Sequence, residues 1–239
     1  MIIVTGDIHG EYDIGKLKQR AKFRNMTKDD YLIICGDFGL VWDNSETDKW
    51  WREWLDQMPY TTLFVDGNHE NFDLLYKFPE QNWHGGRIHR ISDSIFHLMR
   101  GQIFDIDGKT FFTMGGAESH DKQFRKAGES WWEAELPSGE EYAIARRNLD
   151  YCGNTVDYII THCAPTSIQK ELIRRTWDTT YTQNELTDFL DDVIRTVTFD
   201  NWFCGHYHID VTTLTEPRLR VMFNDLLKLP DRTAFYQHL

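Results

Sequence analysis

The sequence predicts an α/β protein, and three observations predict it. Apolar runs of strand length alternate with amphipathic stretches through the first third of the chain. The middle changes to closely spaced strand-like runs joined by turn residues. Asp7, Asp37 and Asn68 each follow such a run at intervals of 30 and 31 residues, the length of a β-α-β unit, so all three return to one sheet edge.

Residues 2–5 are a short buried strand, and residues 14–23 a helix with Leu17 and Ala21 on one face. Residues 31–35 are the second strand. Ser45 opens a helix through residue 58, in which Trp51, Trp54, Leu55 and Met58 follow helical spacing; Ser45 can cap it and Asp48 suits its first turn. Trp50, Trp51 and Trp54 are read as packing for this helix. Residues 62–65 are the third strand, followed by a helix over 71–78 that Pro79 stops. This succession predicts parallel strands with right-handed crossovers.

Residues 95–99, 103–106 and 111–114 are strand-like, with Asp107-Gly108-Lys109 turning the last two into a hairpin. Residues 117–139 are a long polar loop whose Trp131 and Trp132 favour an ordered lid, either by stacking on a base or by pinning the loop. A helix over 140–152 and a strand over 158–161 follow. Helices over 168–177 and 184–197 come next, the latter with Leu186, Leu190 and Val193 as its buried stripe. Strands over 202–204, 211–214 and 219–223 complete the reading. No repeat, low-complexity tract or flexible linker divides the chain, so residues 1–239 read as one domain.

Composition narrows the function. With 41% hydrophobic and 14% aromatic residues among 239, a sizeable core is available. No apolar run approaches the ~18 residues of a membrane span. The opening residues lack the pattern of a secretory signal, so a cytoplasmic protein is expected. A net charge of −12 disfavours stable nucleic-acid binding, although bound divalent cations would reverse the sign locally. The four cysteines, Cys35, Cys152, Cys163 and Cys204, form no CxxC pair. Those beside the motifs are either small buried strand-end residues or oxidisable thiols near a metal.

Five runs carry chemistry: Asp7-Ile8-His9, Gly36-Asp37, Gly67-Asn68-His69-Glu70, Thr161-His162 and Gly205-His206-Tyr207-His208. Each alone is weak. Asp7 and His9, two apart, can face one ion. The Asp37 carboxylate has two oxygens and can bridge two cations, which an imidazole nitrogen cannot. Asn68 offers a neutral carbonyl, or a helix cap, and His69 beside it suits an acid. His162 and the His206-x-His208 pair complete a mixed carboxylate, imidazole and amide set. Such a set suits manganese, iron, zinc or nickel, and two ions so held hydrolyse phosphate esters. His84, His89, His97 and His238 are expected to have no catalytic part.

In this order the runs resemble the calcineurin-like metallophosphoesterases, marked by D-x-H, G-D, G-N-H-D/E, a single His and G-H-x-H, here from residue 7 to 208. The resemblance implies a four-layer α/β/β/α sandwich of two mixed sheets flanked by helices. It implies one metal on Asp7, His9, Asp37 and His208, a second on Asp37, Asn68, His162 and His206, and His69 as proton donor. A hydroxide held between the metals would attack a phosphate mono- or diester, a small phosphoester or nucleotide. The family's protein phosphatases resemble G-D-x-x-D-R-G and R-G-N-H-E. Here Gly36-Asp37-Phe38-Gly39-Leu40-Val41-Trp42-Asp43 lacks that Asp and Arg, and Asp66 stands where the other Arg would be. Lys122 and Arg125 are the expected substitutes for the phosphate clamp, and Asp43 a candidate partner for His69. A nuclease disagrees with the charge, and a non-catalytic scaffold should have lost ligands that this chain keeps.

Overall fold

Side-chain alternation along short apolar strands divides the interior into three packed regions. In β1 (Ile2–Thr5), Ile3 points to one region while Ile2 and Val4 point to another. In β2 (Tyr31–Ile34), Leu32 and Ile34 follow Ile3 while Tyr31 and Ile33 follow Val4. Strands β9 (Tyr158–Thr161) and β10 (Asn201–Cys204) repeat the pattern. Tyr158, Ile160 and Phe203 meet the face carrying Ile2 and Val4, while Ile159 and Trp202 face a third region lined by helices. Strands hydrophobic on both faces must be covered on both faces. Two sheets packed on each other with helices outside satisfy that requirement.

The computed structural model describes residues 1–230, so His238 lies outside it. Besides those strands it contains β3 (Thr61–Phe64), β4 (Glu80–Trp83), β5 (Gly86–Arg90), β6 (Ile95–Leu98), β7 (Gln102–Ile106), β8 (Lys109–Met114), β11 (Val211–Thr212), β12 (Leu219–Val221) and β13 (Leu227–Leu229). One sheet runs β13-β1-β2-β3-β6-β5-β4 and the other β11-β12-β10-β9-β8-β7. Both are mixed: β1, β2, β3 and β6 are parallel, as are β8, β9, β10 and β12, while the outer pairs are antiparallel. Helix α1 (Glu46–Asp56) buries Leu55 against the first sheet. Helices α3 (Gly139–Tyr151), α4 (Thr166–Thr176) and α5 (Glu185–Thr196) cover the second, with Ala145, Leu172 and Leu190 fully buried. Each of the two leucines stabilises the fold by about 1.5–3 kcal/mol relative to exposure.

Several expectations hold. Ser45 caps α1 by accepting from the Asp48 backbone N–H, and the Asp107-Gly108 turn, both residues at positive φ, joins Ile106 to its register partner Lys109. Others are corrected. Residues 14–23 form two short 3₁₀ segments, broken at Gln19, because Gly15 weakens an α-helix there and Lys16 is drawn inward. The helix expected over 71–78 shortens to α2 (Phe72–Leu75), capped by Asn71. The hairpin β4–β5 was not legible: β4 is polar and largely exposed, and its His84-Gly85 turn gives the only cue. Strand β13 is three residues long and exists because β1 offers it a partner.

Candidate active site

All five runs leave the strands at the edge where the two sheets meet. Asp7, Asp37 and Asn68 follow β1, β2 and β3, and His162 and His206 follow β9 and β10. Loops past the carboxyl ends of parallel strands are where α/β folds bind ligands. Asp7, His9, Asp37 and His208 offer ligand atoms all within 4.8 Å of one another. On the other side of Asp37, His162 Nε2 lies 3.4 Å from Asp37 Oδ1 and 3.2 Å from Asn68 Oδ1. The His206 ring centroid is 4.9 Å from that of His162.

Asp37 is the centre of the cluster. Its Oδ2 is 3.1 Å from His9 Nε2, while its Oδ1 accepts the His69 backbone N–H at 2.8 Å and faces His162. Asp7 is fully buried, accepts the His206 N–H on both oxygens at 3.1 Å, and lies 3.3 Å from His208 Nε2. Outer partners orient the imidazoles. Asp13 Oδ2, at 2.7 Å, holds His9 Nδ1, and the Cys35 carbonyl, at 2.8 Å, holds His162 Nδ1, so each Nε2 points inward.

The backbone is strained here. His9, Asp37, His206 and His208 have φ of 42°, 46°, 71° and 50°, the left-handed region that costs a residue with a Cβ about 1–3 kcal/mol. Four of seven ligand candidates in that region indicate geometry selected for a site. Close approach adds a constraint: a Cβ on Gly67 would stand 2.0 Å from Asp37 Oδ1. The Gly67→Ala variant should lose about 1–3 kcal/mol of stability through overpacking and bind metal more weakly, read by thermal melting and metal titration.

Burial opposes charge on Asp37, yet the His162 and His9 imidazoles outweigh it and hold the carboxyl well below its usual range. The converse holds for the partners: against the cost of burial, Asp37 and Asp7 lift His162 to about 10, and Asp37 and Asp7 with Asp13 lift His9 to about 9. Burial and the nearby His162 charge push His206 down to about 3. Two buried carboxylates, four imidazoles and an amide oxygen form a donor set that fits divalent cations.

Residues 1–210 match the family model for calcineurin-like phosphoesterases. The chain belongs to the calcineurin-like phosphoesterase family. That family consists of metal-dependent hydrolases of phosphoester bonds with a dinuclear centre. A lariat debranching enzyme of Arabidopsis thaliana is 28% identical over 103 residues, covering 37% of this chain and 25% of that protein. The match thus spans about a quarter of that relative's length. Among the described residues no helix is long and apolar enough to cross a membrane.

Around this calcineurin-like phosphoesterase site, some expected residues take other partners. Asp43 accepts the Ser45 N–H at 2.9 Å, with no hydrogen bond or ion pair to His69 among the described residues. Arg125 meets His69 instead, its Nη1 being 3.4 Å from His69 Nδ1. Lys122 is 3.3 Å from Glu118 and 3.7 Å from Glu135. Trp132 pins the loop, donating to Asp73 at 2.9 Å and meeting Trp42 edge-on. Cys35, Cys163 and Cys204 are buried. His89 and His97 are buried and joined through their Nδ1 atoms at 2.9 Å, and His84 lies in the β4–β5 turn with Nδ1 2.7 Å from the Asp105 carbonyl.

Sequence reasoning missed three supports. Glu70 accepts the Phe38 and Gly39 N–H groups at 2.6 and 3.1 Å and so holds the Asp37 turn; burial and the Asp37 charge push its carboxyl up to about 8. It was visible inside the third run but had no assigned task. Lys16 donates to the Gly6 and Asp7 carbonyls at 3.1 and 2.5 Å and to that of Phe223, fastening the first ligand loop. No local pattern marks it. Ser119, which accepts from Asn68, is the third.

Proposed function

We propose that this chain hydrolyses a phosphate mono- or diester, a small phosphoester or nucleotide, with one cation on Asp7, His9, Asp37 and His208 and a second on Asp37, Asn68, His162 and His206. The observation that carries this reading is the central Asp37 carboxylate, one oxygen toward His9 and the other toward His162. When bound, two such cations lower the pKa of a water and neutralise charge developing on phosphoryl oxygens.

The protein groups divide the remaining work. Arg125 Nη1 donates toward His69 Nδ1, which leaves Nε2–H of His69 as the donor for a phosphoryl or leaving-group oxygen. Burial lowers the pKa of His69 from its usual value, against the opposing charge of Asp37. Arg125 is paired through Nε with Asp121 Oδ1 at 2.7 Å, so its guanidinium brings donors for a phosphoryl oxygen beside His69 rather than an uncompensated charge. Arg100 does not serve as a clamp: it is buried and paired with Asp66, which weighs against a protein-phosphatase reading. Cleavage of a nucleic-acid diester is the second reading. The similarity to a lariat debranching enzyme favours it, and the net charge of −12 opposes it.

The test is hydrolysis of p-nitrophenyl phosphate and of its bis ester with manganese, against a chelator control. Turnover that the chelator abolishes is expected, and turnover of the bis ester alone would assign a phosphodiesterase. Absence of turnover with manganese, iron, zinc and nickel alike would overturn the reading. His69→Ala should lower kcat by about 10²–10⁴-fold with metal content unchanged.

A further inference from the structure

Among the candidate ligands Asn68 has an ambiguity the others lack. Its amide ends are alike in size, but only the carbonyl oxygen can bind a cation, while the NH₂ end repels one. We propose that Ser119 and Glu135, both from the loop between β8 and α3, are positioning residues that fix which end faces the site. The proposal rests on the metal-binding reading above.

The direction follows from a chain of donors and acceptors. Glu135 is fully buried, and burial raises its pKa while the Ser119 hydrogen bonds and Lys122 oppose the rise; as a carboxylate it only accepts. Its Oε2 accepts the Ser119 backbone N–H at 2.9 Å, and its Oε1 accepts the Ser119 hydroxyl at 3.0 Å. The hydroxyl has one proton and has now spent it. Towards its remaining neighbour, Asn68 Nδ2 at 3.2 Å, Ser119 Oγ can therefore only accept. The NH₂ end of Asn68 is thus turned to the loop and Oδ1 is turned inward, 3.2 Å from His162 Nε2. Asn68 and Ser119 are both buried, so water cannot substitute for either partner without cost.

Two cations hold the chain in place. The Lys122 ammonium, 3.7 Å from Glu135 Oε2, favours the ionised carboxylate. Arg100 Nη2 donates to the Ala134 and Glu135 carbonyls at 2.7 and 3.4 Å, tying the same segment to Asp66. The loop that brings Arg125 to His69 therefore also orients a metal ligand.

Two substitutions separate orientation from packing. Ser119→Ala removes the acceptor for Nδ2. Glu135→Gln keeps the shape but lets residue 135 donate to Ser119 Oγ. That frees the hydroxyl proton for Asn68 Oδ1, and a turned amide becomes equally well bonded. The full chain, freed of metal, is titrated with manganese by calorimetry. The parent should bind two ions. Each variant should weaken one of them about 10–100-fold and leave the other unchanged, and Ser119→Thr, which keeps the hydroxyl, should bind like the parent. Parent-like affinity at both sites in Ser119→Ala and Glu135→Gln overturns the proposal. Equal weakening of both sites with a lowered melting temperature also overturns it, as a general structural effect. A parent that binds no metal overturns the metal-binding reading itself, and this inference with it.

Discussion

Asp37→Asn should abolish turnover, lowering kcat/KM by at least about 10³-fold, equivalent to roughly 4 kcal/mol of transition-state stabilisation. The substitution preserves shape, so the loss measures charge and oxygen donors. An asparagine keeps one oxygen, and its NH₂ end would face either His9 Nε2, now 3.1 Å from Oδ2, or His162 Nε2, now 3.4 Å from Oδ1. One of the two proposed cations then loses its shared ligand. The His69 backbone N–H, which donates to Oδ1 at 2.8 Å, loses a charged acceptor in the same change. Steady-state kinetics with a metal count per chain checks this result. An Asp37→Asn enzyme with parental turnover and two bound ions would refute the central role of this carboxylate.

The largest effect on stability is expected from Asp66→Asn. Asp66 is fully buried, and its Oδ2 accepts from Arg100 Nε at 2.9 Å and from Nη2, while Oδ1 lies 2.9 Å from His97 Nε2. Arg100 is buried too, so neutralising Asp66 leaves this cation, away from water, with only the longer 3.5 Å contact from its Nη1 to Glu141 Oε2 for counter-charge. Breaking one partner of such a pair costs about 3–5 kcal/mol. For a domain of this size that lowers the melting temperature on the order of 10 °C. Burial opposes ionisation of Asp66, but Arg100 and His97 outweigh it and hold its pKa below the usual value. As pH falls the unfolded chain therefore takes up the proton first. The contribution is complete above the unfolded carboxylate value of about 4 and is lost as pH drops from there towards the folded value. Thermal melts at pH 7 and below pH 4 should show the wild type losing stability on acidification more steeply than Asp66→Asn. Equal slopes and equal melting temperatures would show that the buried pair contributes nothing.

Both expectations concern residues whose importance was unequally visible in the chain. Asp37 stood out because a carboxylate directly after an apolar run, repeated at one β-α-β spacing, is a local pattern with a local cause. The same is true of Ser45 as a cap and of Asp107-Gly108 as a turn. Asp66 was noticed only for what it replaced, since its partner Arg100 is 34 residues away and nothing in either neighbourhood announces the pair.

The sequence by itself determined the strands that alternate between faces, the Ser45 cap, and the order of five candidate ligand runs, because each depends on neighbours within a few residues. Only the tertiary structure decided how the site is held. It turned the Asn68 amide through Ser119 and Glu135, sent Lys16 under the first ligand loop, and gave Arg125 rather than Asp43 to His69. It also added β13 at one edge of the first sheet and the β4–β5 hairpin at the other. The physical reason is common to all of these. A polar side chain's partner is chosen by which distant segment the packed sheets bring within about 3 Å, and that distance is set by the whole fold rather than by the local run of residues.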